Sequence, residues 1–396
     1  MKLYDTRRDA RIRVARTCMD LARFTDLFYE NFAHHGELGA SVSVWREGEE
    51  ELSLAHGWQD HEQTRMWTAD TPVLFWSATK GLASACVLHA LQERERDPTM
   101  LVSECWPEFS QNGKERITIA EVLSHQAGLP ALSTPVPVTD YDAVVAALAA
   151  EPPHWPVGEG HGYHPRTFGF LADEILRRLT GGTPLREYWR AQIAEPFGMD
   201  VWIGVPADIL PRVAPVFPMR NAPPKGDEFY TAFITAGSFT AQAFTSPRGL
   251  HSAVAMNKPE TLAASFPGFG GVGTARGLAK FYALLANGGS IDSWRVFEPR
   301  TLFWMKTTLA QGRDRVLLMD TAFAAGFMRD PVDADGHKMR AIFGPSHSAF
   351  GQPGAGGSHA FADPEHGISF AYVMNQMEPG VLPGPKALRM IDALYA

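Results

Sequence analysis

Strand-forming segments stand at the two ends of this chain and helical ones fill the interval, a placement that restricts the fold more than any other feature. Near the start, "LGASVSVWREG" and "ELSLAHGW" (38–48 and 51–58) read as two strands of a hairpin. Near the end, "TAFAAGFM" (321–328) reads as a strand, and "GSHAFADPEHGISFAYVMN" (357–375) as a hairpin turning at Pro364, Glu365, His366 and Gly367. "DLARFTDLFYENFAHHG" (20–36) has helical spacing and stops at Gly36, and "KALRMIDALYA" (386–396) is a last helix. Between the ends, helical character runs through 77–92, 118–129, 140–151, 167–182 and 184–198. A Gly/Pro-rich stretch of weak periodicity (204–272) follows, and then a helix over 274–289 with a glycine stop. The pattern predicts an α/β (α+β) fold: one antiparallel sheet built from both termini and flanked by helices, with a mostly helical inserted lobe. The division expected is a sheet domain from 1–85 and 265–396, a helical lobe with long irregular segments from 86–264, and the active site between them.

The net charge of −8 and pI near 6.0 argue against a nucleic-acid surface, which needs a basic face. The basic N-terminus, "MKLYDTRRDARIRVARTCMD", lacks the apolar core and small-residue cleavage site of a secretory signal and reads as an exposed arm or short helix. No run approaches the roughly 18 apolar residues of a membrane helix, and Cys18, Cys86 and Cys105 cannot form a full disulfide set. A cytoplasmic protein acting on a small molecule, without nucleic acid or membrane as partner, is the expectation.

"FWSATKG" (75–81) carries the chemistry. A helix beginning at Ser77 would hold its hydroxyl beside Lys80, because residues three apart share a face. The same helix start offers unpaired N–H groups and the positive dipole end, which favour an anion at Ser77. A serine becomes a nucleophile when a base takes its proton, and a lysine can be that base once burial or a nearby cation lowers its pKa. Phe75, Trp76, Ala78 and Leu82 supply an apolar flank.

Two further segments extend the pattern. "GYHPRTFGFLADEIL" (162–176) places Tyr163 in a loop before a helix, and "FGQPGAGGSHAFADPEHGISFAYVMN" (350–375) places a glycine-rich turn before the C-terminal hairpin. With Ser77, Lys80 and the intervening "LSHQAGLPAL" (123–132), they resemble the serine β-lactamase and penicillin-binding protein superfamily, nearest its class C β-lactamase-like branch and the family VIII carboxylesterases. The resemblance covers the chain from about residue 20 to its end. It implies that Ser77 and Lys80 are the S-x-x-K nucleophile and base, that Tyr163 is the tyrosine of Y-x-N, and that Lys80 and Tyr163 form a coupled pair of which either one takes the Ser77 proton. It also implies that Gln352, Pro353 and Gly354 stand at the K-T-G position, and that the N–H groups of Ser77 and Ala355 form the oxyanion hole. Trp76, Gln352, Gly354 and Gly356 would line the substrate site, and no metal or cofactor is called for.

Pro165 stands where the asparagine of Y-x-N would be, and Gln352 removes the lysine cation that helps bind the carboxylate of a β-lactam. Both departures favour an esterase cleaving small carboxylic esters through an acyl-enzyme. The alternatives are a β-lactamase, a D-amino-acid peptide hydrolase or acyltransferase of the same superfamily, or a catalytically silent binding member, with Arg166 a possible substitute cation. Two other constellations are weaker. His154, Glu159, His161 and His164 crowd one loop at spacings that fit no metal template. "GGSHA" around Ser358 recasts a G-x-S-x-G elbow with Ala360 in the second glycine's place and a strand following.

Overall fold

In a computed structural model the chain is described over residues 19–396 apart from 221–222, 224–225 and 292–293, so the basic N-terminal arm and Cys18 fall outside the described residues. Helix α1 (Leu21–His34) ends just before Gly36, whose φ of 66° suits glycine. Strands β1 (Gly39–Arg46) and β2 (Glu49–Gly57) form the first hairpin. Two short strands, β3 (Val73–Leu74) and β4 (Val201–Ile203), flank β5 (Gly271–Gly273) in a separate small sheet that the sequence reading lacks. Ser290–Ile291 (β6) and Trp294–Arg295 (β7) make a surface hairpin.

The C-terminal part adds β8 (Ala310–Arg313), β9 (Asp320–Phe323), β10 (Met328–Arg329), β11 (Phe350–Pro353), β12 (His359–Asp363) and β13 (Ile368–Met374). The main sheet is antiparallel in the order β2-β1-β13-β12-β11-β10-β9-β8, so the two chain ends meet where β1 pairs with β13, Val42 opposite Tyr372. Helix α4 (Ala275–Ala286) packs on β1, β12 and β13, and Ser369 Oγ donates to the Ala279 carbonyl at 2.8 Å. On the other face α1 lies beside α5 (Pro385–Leu394), with Phe24 edge-on to Phe370. The sheet is therefore covered on both faces, which explains why β1 and β13 are buried nearly throughout rather than alternating.

Between the hairpins lie α2 (Thr79–Gln92) and α3 (Thr167–Thr180), packed on each other in the core. Here the local readings need correction. The expected helix over 118–129 is only Ile119–Leu123, because His125 adopts φ 64° and Gly128 φ 70°, which no helix continues through. The helix over 184–198 is Leu185–Tyr188 followed by a π-helical Trp189–Ala194. The strand expected at 321–328 is a tight hairpin, β9 to β10, since Gly326 at φ 83° reverses the chain and a Cβ there would lie 1.8 Å from Ser84 Oγ. The irregular stretch holds short helices at Glu228–Ile234, Phe239–Thr245, Ala253–Met256 and Pro259–Ala263. Among the described residues no helix is long and apolar enough to cross a membrane, and Cys86 and Cys105 are free.

One close approach locks the sheet to the turn that carries Ser77. The end of β11 runs against it so tightly that a Cβ on Gly354 would sit 2.1 Å from the Phe75 carbonyl oxygen, a backbone that cannot give way as a flexible side chain can. Gly354→Ala should therefore lower stability by about 1–3 kcal/mol and disturb Ser77 together. Thermal unfolding and covalent labelling of Ser77 measure the two effects, and an unchanged midpoint would mean that the contact is loose.

Candidate active site

Ser77 lies not in the first turn of an α-helix, as its sequence suggests, but in a single 3₁₀ turn, Trp76–Ala78, that leads straight into α2. Trp76 enters that turn at φ 49°, a left-handed backbone that is costly for a bulky residue. The surroundings hold it there. The Thr79 hydroxyl donates to the Trp76 carbonyl and accepts from the Gly271 N–H at 2.7 Å, while the Phe75 N–H donates to the Gly271 carbonyl at 3.0 Å. The three-residue spacing keeps its expected consequence, with Lys80 Nζ 3.3 Å from Ser77 Oγ.

Lys80 is wholly buried, yet no carboxylate lies within ion-pair distance of it among the described residues. Its amine donates to the carbonyls of Pro165 at 2.9 Å and Gly268 at 2.7 Å. Glycine permits this approach: a Cβ on Gly169, in the first turn of α3, would meet the Gly268 nitrogen at 2.2 Å. Burial, and after it the Arg166 guanidinium, hold the Lys80 pKa well below that of a free lysine. A neutral amine has two N–H groups and one lone pair. The two carbonyls occupy the N–H groups, which leaves the lone pair for the direction of Ser77 Oγ.

Tyr163 is 4% exposed, and its ring centre lies 4.7 Å from Lys80 Nζ. The ring stacks on Phe323 of β9 and packs against His125 at 4.8 Å. Burial raises its pKa, partly offset by hydrogen bonding with the side chains of Ser77 and Gln352, so the resting phenol is protonated. Gln352 is buried in β11 facing this phenol. In the turn after β11, the Gly354 N–H donates to the Ser358 carbonyl at 2.7 Å and the Gly356 N–H to the Gly380 carbonyl at 3.1 Å. The Ala355 N–H between them, like the Ser77 N–H, has no acceptor among the described residues. Gly356 packs at φ 84° against Met377, and Trp76 is half-buried beside Ser77.

Arg166 is not a free cation. Its Nε donates to the Pro247 carbonyl at 3.1 Å, Nη1 to Leu250 at 3.2 Å and Nη2 to Gly249, and the guanidinium lies over the Phe269 ring at 5.0 Å. The crowded histidines point to separate partners: His154 to the Ala131 carbonyl, His161 to Thr321, and His164 to the Leu129 N–H and Gly162 carbonyl. Burial lowers the His164 pKa to about 3, so that ring is neutral. Ser358 lies immediately before strand β12 with a buried hydroxyl, and a strand rather than a helix follows it.

Sequence reasoning missed His125, Gly268, Asp314 and Phe323, all of which touch Lys80, Tyr163 or the loop between them. His125 lies inside "LSHQAGLPAL", whose first part reads as helix and gives no sign of a ring against Tyr163. Asp314 and Gly268 carry no local signal.

The beta-lactamase family model matches residues 18–395. The chain is 35% identical over 353 residues, 86% of its length and 77% of the other's, to the esterase/beta-lactamase LipL of Mycobacterium tuberculosis (strain ATCC 25618 / H37Rv). Among solved structures, a penicillin-binding protein homolog from Caulobacter crescentus superposes with TM-score 0.82 at 35% identity, covering 94% of this chain and 96% of that one. A family VIII carboxylesterase superposes with TM-score 0.82 at 32% identity, over the same 94% and 96%. With a family match spanning nearly every described residue and relatives of this identity, the chain belongs to the beta-lactamase family, within the serine β-lactamase and penicillin-binding protein superfamily.

Proposed function

We propose that this protein is a carboxylesterase that cleaves small neutral esters through an acyl-enzyme on Ser77. The observation that carries the reading is the Lys80 amine: buried, with no counter-ion among the described residues, its N–H groups taken by two carbonyls and its lone pair left for Ser77 Oγ at 3.3 Å. Lys80 removes the Ser77 proton as Oγ attacks the ester carbonyl. The developing oxyanion is received by the N–H groups of Ser77 and Ala355. Tyr163 donates its phenolic proton to the departing alcohol and is reprotonated by the Lys80 ammonium, which returns both groups to neutrality. Water then enters where the alcohol left and gives its proton to the Tyr163–Lys80 pair as it attacks, and the pair returns a proton to Ser77 Oγ as the bond to the acyl group breaks and the acid leaves.

The choice of ester over β-lactam rests on charge. A substrate carboxylate needs a cation, and the two nearest candidates are spent: Gln352 offers a neutral amide facing Tyr163, and Arg166 is bound by three backbone carbonyls. A charge-assisted hydrogen bond is worth about 1.5–3 kcal/mol, or roughly 10- to 100-fold in rate, and a neutral ester forfeits nothing by its absence. The names esterase and carboxylesterase attached to relatives agree with this reading.

Ser77→Ala should abolish labelling by a fluorophosphonate and ester turnover with the fold intact; label found on Ser358 would overturn the assignment. For short p-nitrophenyl esters kcat/KM should exceed that for nitrocefin by at least about 100-fold, the upper end of the missing charge contact. Equal efficiencies would return the β-lactamase reading.

The lowered Lys80 pKa sets the pH dependence. Its neutral form persists far below pH 10.5, and activity falls as pH drops through the depressed value. The acid limb of Ser77 labelling should thus lie well below 10.5, whereas Lys80→Arg, permanently protonated, should lose about 10²- to 10⁴-fold. A limb near the free-lysine value would show that the amine is charged at rest.

A further inference from the structure

Lys80 is anchored by backbone carbonyls, but Tyr163 belongs to a loop, and the family asparagine two residues later is Pro165 here. What fixes the phenol comes from the far edge of the main sheet. The turn between β8 and β9 carries Asp314, fully buried, whose carboxylate gathers four donors. Its Oδ1 accepts from the Val316 and Leu317 N–H groups, each at 2.8 Å, which closes its own turn. Both oxygens accept the Tyr163 N–H, at 3.1 and 3.0 Å, and Oδ2 accepts the Thr321 hydroxyl at 3.2 Å. The Thr321 hydroxyl also meets His161 Nε2 at 2.7 Å, two residues before Tyr163. Two residues further along β9, Phe323 supplies the ring on which Tyr163 stacks, centres 6.1 Å apart and planes 15° from parallel.

We propose that Asp314 is the positioning residue for Tyr163: its carboxylate ties the tyrosine's backbone to the β8–β9 turn and so sets the phenol between Ser77 and Lys80. The assignment rests on Tyr163 as the proton relay to the leaving alcohol. His161 is the nearest cationic candidate, 3.9 Å from Oδ2, and burial keeps it neutral, so the tie is a cluster of hydrogen bonds to one carboxylate rather than an ion pair. Buried carboxylates that collect several N–H donors hold those donors to narrow geometry, and proton transfer is sensitive to misplacement on the ångström scale. Asp314 touches no reacting atom, and its effect passes through Tyr163 alone.

Asp314→Asn separates positioning from folding. With the amide oxygen at the Oδ1 site, the Val316 and Leu317 bonds and the 3.1 Å half of the Tyr163 contact survive; at the Oδ2 site the 3.0 Å acceptor becomes an amide donor pressed against the Tyr163 N–H, while the Thr321 hydroxyl can reverse to accept. The test is a double-mutant cycle with Tyr163→Phe, read as kcat and KM on ethyl butyrate, whose alkoxide leaving group requires the relayed proton. Asp314→Asn should lower kcat about 10- to 100-fold with KM within about twofold, and in the Tyr163→Phe background it should cost little more, because the two act as one unit. A full additional loss in that background, or wild-type kcat in Asp314→Asn, would overturn the proposal. Tyr163→Phe with wild-type kcat would overturn the relay reading, and the assignment with it. If Asp314→Asn does not fold, as its thermal midpoint will show, Thr321→Val removes the hydroxyl shared by Asp314 and His161 and supports the same cycle with a smaller loss; additivity there overturns the proposal equally.

Discussion

The Lys80 amine is buried with no carboxylate within ion-pair distance among the described residues, and the arrangement of the site follows from that constraint. An ammonium in such surroundings is strongly disfavoured. The structure answers by holding the Lys80 pKa well below that of a free lysine and satisfying its N–H groups with carbonyls. That demands three segments at one point: the turn into α2, the loop before α3, and the loop at Gly268. Glycines make the meeting possible, Gly169 against Gly268 and Gly354 against Phe75, since each approach is closer than a Cβ allows.

Backbone groups here take over work that side chains do in the superfamily resemblance. Pro165 cannot offer the asparagine amide, yet its carbonyl reaches Lys80. Arg166 next to it contributes charge at a distance, which helps depress the Lys80 pKa, while its donors hold the Pro247–Leu250 loop. The result is that the proposed nucleophile and base have little free positive charge around them, a setting suited to neutral acyl groups. Asp314 adds a carboxylate that acts on the tyrosine's backbone, not on a substrate.

The alternation of strand and helix signals was readable because it is local: a hairpin at each end, glycine at the end of α1, and helical spacing in α2 and α3. Errors fell where local preference was overridden. Ala310–Arg313 is too polar to announce an edge strand, and "TAFAAGFM" conceals a reversal that only Gly326 against Ser84 enforces. The 3₁₀ turn at Ser77 escaped because Trp76 accepts a left-handed backbone for reasons that lie in Thr79 and Gly271, 192 residues apart in sequence.

The sequence by itself determined that Ser77 and Lys80 stand together, since residues three apart on one helical turn face the same way whatever surrounds them. It also determined that the two chain ends supply one sheet, through their strand patterning. Tertiary structure alone decided the state of the lysine and the place of the tyrosine. The carbonyls that hold Lys80 come from 85 and 188 residues away, and the carboxylate behind Tyr163 from 151. Burial and hydrogen bonding of that range depend on how the layers close over one another, and no local pattern in the chain encodes them.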